Sequence, residues 1–309
     1  MMDPLERRSA RCALILALGA ALTGPPARAD AESPLYNATL YEGAPAFGAR
    51  MVVVYEPLLF KHGTLPGTPL PSEEGIAAAV RNAAAQRAAV EERGGTVAPV
   101  IALSLERWPL WPAVPLDAHV RSIADYADVA RRFAEASGEK VCLFDVFPGA
   151  GRPTVVRSRD ELELREEWEA AARAAWKELE EAVDAACPRL YTYYDDADPD
   201  QHAILIDQWR GYAADTIAMA RAVAPSLPVY PFLWPRFHPG GEAPQRDIPP
   251  DYWRAELETV REAADGVVLW GGVDMESRTR ESWNPEAPWW GITREMFALP
   301  PDPDRPDPG

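Results

Sequence analysis

Three carboxylates stand where apolar runs of the chain end. Glu56 closes "MVVVYE", Asp145 lies within "VCLFDVFPG", and Asp195 follows "RLYTYY". Glycoside hydrolysis uses two carboxyl groups across the scissile bond, one protonated and one ionised. Aromatic side chains crowd the same run ends: Tyr55, Trp108, Tyr193, Tyr230, Trp234 and Trp270, with Arg236 among them. Such rings hold sugars through their apolar faces, while Trp and Tyr keep a polar edge. Asp145, Asp195 and Glu56 are therefore the candidate catalytic residues, and the aromatics with Arg236 the candidate substrate contacts. Glu106, Arg107 and His238 share the same ends. Each has a plain structural alternative. A strand-end Asp often caps the next helix. Glu56 precedes Pro57 and can simply bond loop amides. Trp234 and Trp270 can be core fillers, and His238 a surface-loop residue. Of Asp195 and Asp196, strand alternation lets only one point inward.

Positioning these groups requires a repeated element pattern. Strands are expected at 51–57, 97–106, 141–149, 189–196, 227–241 and 265–272. Between them lie segments with apolar residues at helical spacing, including a long helix over about 158–186. Strands apolar on both faces that alternate with helices imply a parallel sheet covered by helices. No G-x-G-x-x-G follows the first strand, and no P-loop is present. The expected fold is α/β, a TIM-like (β/α) barrel, distorted or with fewer than eight regular repeats. In such a barrel, function sits at the carboxyl ends of the strands. "SPLYNATLYEGAPAFGAR" adds an irregular strand, and "APWWGITREMFAL" a closing helix.

Residues 1–29 have the order of a secretory signal peptide: Arg7, Arg8 and Arg11, an apolar run, then Ala27-Arg28-Ala29. The expected barrel domain spans 30–299, and the Pro/Asp-rich tail 300–309 has no core-forming residue. The mature chain is expected to be exported, periplasmic or extracellular, with no membrane span. A formal charge of −17 argues against nucleic acid as a partner. Four His, no H-E-x-x-H and no compact Ca²⁺ loop argue against a metal, and no cofactor is expected. No G-x-S-x-G marks a serine hydrolase. Cys142 and Cys187 remain after the leader. Export permits a disulfide, and two buried thiols are the alternative. Carbohydrate is the expected partner; oligomeric state is left open.

Three segments, "VCLFDVFPG", "PVYPFLWPRFH" and "DGVVLWGG", together resemble the hyaluronidase-like glycoside hydrolases, in order across roughly residues 140–297. The resemblance implies a distorted barrel with fewer than eight regular repeats. It also implies aromatic sugar contacts at Trp270 and near Tyr230. In that family the third strand ends in Asp-x-Glu, with the glutamate as acid and the substrate's acetamido group as nucleophile. Here Asp145 matches the aspartate, and Phe147 stands at the glutamate position. The family mechanism therefore does not carry over as it stands. A diverged hydrolase, a non-catalytic glycan-binding barrel, and a structural or interaction module are the three readings.

Overall fold

The structure is a computed structural model that describes residues 33–108, 110, 116–146, 176–194, 199–241 and 243–300. Eight strand segments run in it: β1 (Leu35–Asn37), β2 (Ala49–Arg50), β3 (Val53–Tyr55), β4 (Ile101–Ser104), β5 (Val141–Phe144), β6 (Ala185–Cys187), β7 (Phe232–Leu233) and β8 (Val267–Leu269). The helices are α1 (Glu56–Phe60), α2 (Glu73–Glu91), α3 (Leu116–Ser137), α4 (Pro199–Val223), α5 (Pro250–Ala263) and α6 (Pro288–Met296). Residues 176–180 are also helical.

Every ladder is parallel, in the orders β2-β1-β8-β7 and β3-β4-β5-β6. β2 and β3 belong to one extended run, because Ala98 N donates to Arg50 O and Ala102 N to Val52 O. At the other seam Tyr230 N donates to Ala186 O and Phe232 N to Pro188 O. The two sheets thus join into one closed cylinder, a TIM-like barrel built from seven staves among the described residues. Closure removes free sheet edges.

Alternation along each stave separates two cores. Met51, Val53, Cys142, Phe144, Cys187, Tyr230, Phe232, Trp234 and Val268 fill the lumen. Val52, Val54, Val141, Leu143, Leu233, Val267 and Leu269 face outward under the helices. The described helices follow the apolar spacing of their sequences. α3 buries Ile123, Tyr126, Ala127, Ala130 and Phe133, the stripe of an amphipathic helix. α2 starts at Ser72, whose side chain accepts from Gly75 N at 3.1 Å, an ordinary N-cap.

Two boundaries differ from the sequence reading. Of the long helix expected over about 158–186, residues 158–175 lie outside the described residues; residues 176–180 are helical, and Ala185–Cys187 is β6 instead. Alanines favour a helix locally, but pairing of Cys142 with Ala185 and Phe144 with Cys187 recruits them into the sheet. Of the strand expected at 189–196, residues 195–196 lie outside the described residues; residues 189–194 follow β6 and, among the described residues, carry one β-bridge, Arg189 to Phe232. The irregular first strand and the closing helix are both present, as β1 with β2 and as α6. No helix connects β1 to β2. The connection 38–48 and α6 cover that flank instead, with Phe47 against Trp290 at 4.8 Å and Tyr41 against Trp289 at 5.9 Å between ring centroids.

The leader expected over 1–29 and residues 301–309 of the tail lie outside the described residues. No described helix is long and apolar enough to cross a membrane.

Candidate active site

Asp145 follows β5 with φ +59°. A left-handed backbone is unfavourable for most L-residues, and Asp and Asn visit it most readily. Held by its amide, which donates to Cys187 O at 3.0 Å, it leaves the strand at the carboxyl end of the barrel. Its carboxylate meets the Arg189 guanidinium at 2.9 Å. Burial pushes the Asp145 carboxyl up to about 7; the Arg189 charge opposes that rise and Glu106 adds to it. A carboxyl near 7 exchanges a proton at neutral pH, which is what a general acid requires.

Around this pair stands a wall of rings. Tyr191 stacks on Trp270 at 5.8 Å and 26°, and meets Trp234 edge-on at 5.6 Å. Trp234 and Trp270 are themselves edge-to-face at 4.9 Å. Tyr193 lies 4.4 Å from the His238 ring. The Tyr55 hydroxyl accepts from Trp270 Nε1 at 3.1 Å, closing the panel on the β3 side. Arg189 sits 6.0 Å above both Tyr191 and Tyr193, within cation–π range. His238 Nδ1 accepts from Gly240 N at 3.1 Å. Burial and the Arg189 charge push this imidazole down to about 4. It is therefore neutral at pH 7, with its proton on Nε2.

Gly271 and Gly272 follow Trp270 at the end of β8. Their φ values are +147° and +83°. A Cβ on Gly271 would lie 3.1 Å from Trp234 Cδ1, and one on Gly272 only 2.3 Å from Tyr41 N. The glycines serve close packing as well as the turn. Trp270 stays partly exposed, whereas Trp234 is 1% exposed and forms the floor.

The expected set divides accordingly. Asp145, Tyr55, Tyr193, Trp234 and Trp270 meet at one mouth. Glu56 is committed elsewhere: it accepts from Glu106 N at 3.1 Å and pairs with Arg107 at 3.2 Å. Trp108 packs between Phe60 and Tyr126 in the outer core, not in the lumen. Tyr230 stands at the opposite, amino end, edge-on to Tyr36 at 5.0 Å and close to Gly266. It opens its stave rather than closing it. Arg236 ties the loops after β7 and β8 together through Asp247 and Glu281. Asp195 and Phe147 lie outside the described residues. Sequence reasoning passed over Arg189 and Tyr191 because it began the fifth stave at Arg189. A charged residue at that end should have read as the middle of the stave, with its apolar start in "AAC".

One buried carboxyl supports the mouth from behind. Glu256 on α5 is fully buried and accepts from Thr192 Oγ1 at 2.5 Å. Thr192 lies between Tyr191 and Tyr193. Burial holds Glu256 protonated well above the usual carboxylate range. An unfolded glutamate ionises above about pH 4.3, so folding must retain a proton there. This lowers stability as pH rises from the unfolded value toward the folded one. Glu256→Gln removes that dependence. Its stability relative to wild type is expected to grow as pH rises above the unfolded glutamate value of about 4.3, read by urea unfolding across pH 4 to 8. A constant difference across that range would show that Glu256 is ionised in the fold.

Among the described residues no three His, Cys, Asp or Glu side chains gather as a metal site. No family model matches the chain, and no curated protein matches it. Solved structures show partial likeness in backbone. Bee venom hyaluronidase has 12% identity and a TM-score of 0.46, over 75% of this chain and 82% of that one. A putative alpha-L-fucosidase from Bacteroides thetaiotaomicron has 10% identity and a TM-score of 0.44, over 91% and 99%. A glycoside hydrolase family 5 enzyme from Prevotella bryantii has 8% identity and a TM-score of 0.41, over 81% and 82%. The barrel assignment rests on the closed parallel ladder itself.

Proposed function

We propose that this barrel is a glycoside hydrolase-like protein that binds carbohydrate at its carboxyl-end mouth, with Asp145 as proton donor. The observation that carries the reading is the Asp145 carboxyl, held at 2.9 Å from Arg189, beside a panel of rings in one barrel mouth. Sugar rings would lie against the exposed face of Trp270 and Tyr193. Asp145 would protonate the leaving oxygen, and Arg189 would set how readily it does so. Glu106, whose charge reaches Asp145, supplies the second carboxyl in place of Glu56. Hydrolysis of an oligosaccharide panel by purified protein, read as new reducing ends, tests this.

A non-catalytic glycan-binding barrel is the second reading. The Asp145–Arg189 ion pair and the tying of Glu56 to Arg107 favour it, as does Phe147 in the sequence. Saturable glycan binding without release of reducing ends would select it. Both readings expect Trp270→Ala to remain folded and to lose about 1–3 kcal/mol of sugar affinity, the value of one apolar face. Calorimetric titration measures this; undiminished affinity in a folded variant would place the sugar elsewhere. Export remains part of the proposal. The Cys142–Cys187 disulfide supports it, because such bonds persist in oxidising compartments.

A further inference from the structure

A second feature lies outside the mouth, on the flank where β1 passes to β2 without a helix. A groove of about 480 Å³ opens there between the connection 38–48 and α2. That is the size of a small-molecule site. Its apolar side includes Phe47 and Val90, and its polar side carries Arg50, Arg93 and Arg280. Among the described residues no Asp or Glu lines it. The chain as a whole holds 48 acidic and 31 basic residues, so a cavity whose charged lining, among the described residues, is all arginine runs against the composition.

Among the described residues none of the three arginines pairs with a carboxylate. Arg50 is half-buried and held by neutral acceptors. Its Nη1 donates to Thr39 O at 2.6 Å and to Asn37 Oδ1 at 3.4 Å. Asn37 Oδ1 is fixed in turn by Thr39 N at 2.9 Å and Thr39 Oγ1 at 2.8 Å. Arg280 is close enough for its charge to act unfavourably on Arg50. Two like charges facing one cavity, one of them partly desolvated, are costly without an anion between them. A guanidinium fork matches a tetrahedral or planar oxyanion through paired N–H donors. Both charges also reach Tyr55, whose hydroxyl bonds Trp270, so the groove backs onto the mouth.

We propose that this groove is a second binding site, for a small molecule bearing a phosphoryl or sulfuryl oxyanion. Arg50 and Arg280 take the anionic head, Arg93 screens the entrance, and the apolar side packs the body. The site stands whether or not the mouth hydrolyses glycans.

Titration of the whole protein with sodium phosphate and with sodium sulfate tests it. Ionic strength is held constant with chloride, and binding is read by calorimetry and by melting temperature. Saturable binding of either anion above the chloride background is expected. Arg280→Gln and Arg93→Gln are exposed changes, and Arg280→Gln is expected to weaken binding about 10-fold or more. Arg50→Gln should abolish it; if that variant fails to fold, the two exposed variants decide. A phosphate preference would indicate a phosphoryl ligand, and a sulfate preference a sulfuryl one. Response equal to chloride, acetate binding with neither divalent anion, or full affinity in both exposed variants would overturn the proposal.

Discussion

Asp145→Asn is expected to leave the barrel folded and to lower glycan hydrolysis by about 10²–10⁴-fold, the usual worth of a general acid. Asparagine keeps the shape of the side chain and an oxygen for Arg189, but it has no proton to give. In the wild type the acid is present while the carboxyl is protonated. Turnover should therefore decline through an alkaline limb centred near 7, where burial places this group. The partner gives a second check of sign. Arg189 opposes the rise caused by burial. Arg189→Gln withdraws that opposition, so the limb should move to higher pH. A structural ion pair alone would not move a kinetic limb. Reducing-end release across pH 5–9 supplies the measurement. Turnover in Asp145→Asn equal to wild type would remove this carboxyl from the chemistry.

The same carboxyl shows what the primary chain disclosed and what it hid. An acidic residue inside "VCLFDVF" was legible, because burying a charge is costly unless something compensates it. What compensates it was not legible. Arg189 sits 44 positions along the chain and meets Asp145 only because Phe144 pairs with Cys187 across the β5–β6 ladder. Register of that kind is set by tertiary contact, and an alanine-rich segment such as 182–187 carries little local signal for it. The ring panel was half visible. Tyr55, Tyr193, Trp234 and Trp270 could be chosen as stave ends. Tyr230 could not be told from them, since a stave's direction is clear in sequence but its length is not. Trp108 looked like a mouth residue because it follows β4 by four positions. The chain has by then left the lumen, and the ring falls between Phe60 and Tyr126. The barrel as a whole was readable, because alternating strands and helices with doubly apolar strands admit few folds. The helix-less first crossover, where the arginine groove lies, follows from Phe47 and the Trp283, Trp289 and Trp290 cluster taking a helix's place.

Replacing both Cys142 and Cys187 by alanine is expected to cost about 4 kcal/mol of stability. The two are bonded inside the lumen, fully buried, at a sequence separation of 45. In the chain-entropy account, a crosslink stabilises by restricting the unfolded chain, and a loop of this length corresponds to that figure. Against a total stability of about 5–15 kcal/mol the loss is large. It should lower the melting temperature by roughly 10 °C. Urea unfolding of the wild type and the double variant gives the difference directly; a loss under about 1 kcal/mol would mean that the unfolded chain is already compact in this region. The consequence extends to the mouth. Cys187 O accepts from the Asp145 amide, and Arg189 follows Cys187 by two residues. The covalent bond thus fixes the register that brings acid and arginine together. A double variant studied where it is still folded should keep most of its affinity for sugar, since Trp270 sits on another stave. It should lose turnover beyond what its folded fraction explains. On the proposed reading, sugar binding rests on rings that packing alone can hold, whereas the readiness of Asp145 to give its proton is set by an arginine placed across two short strands.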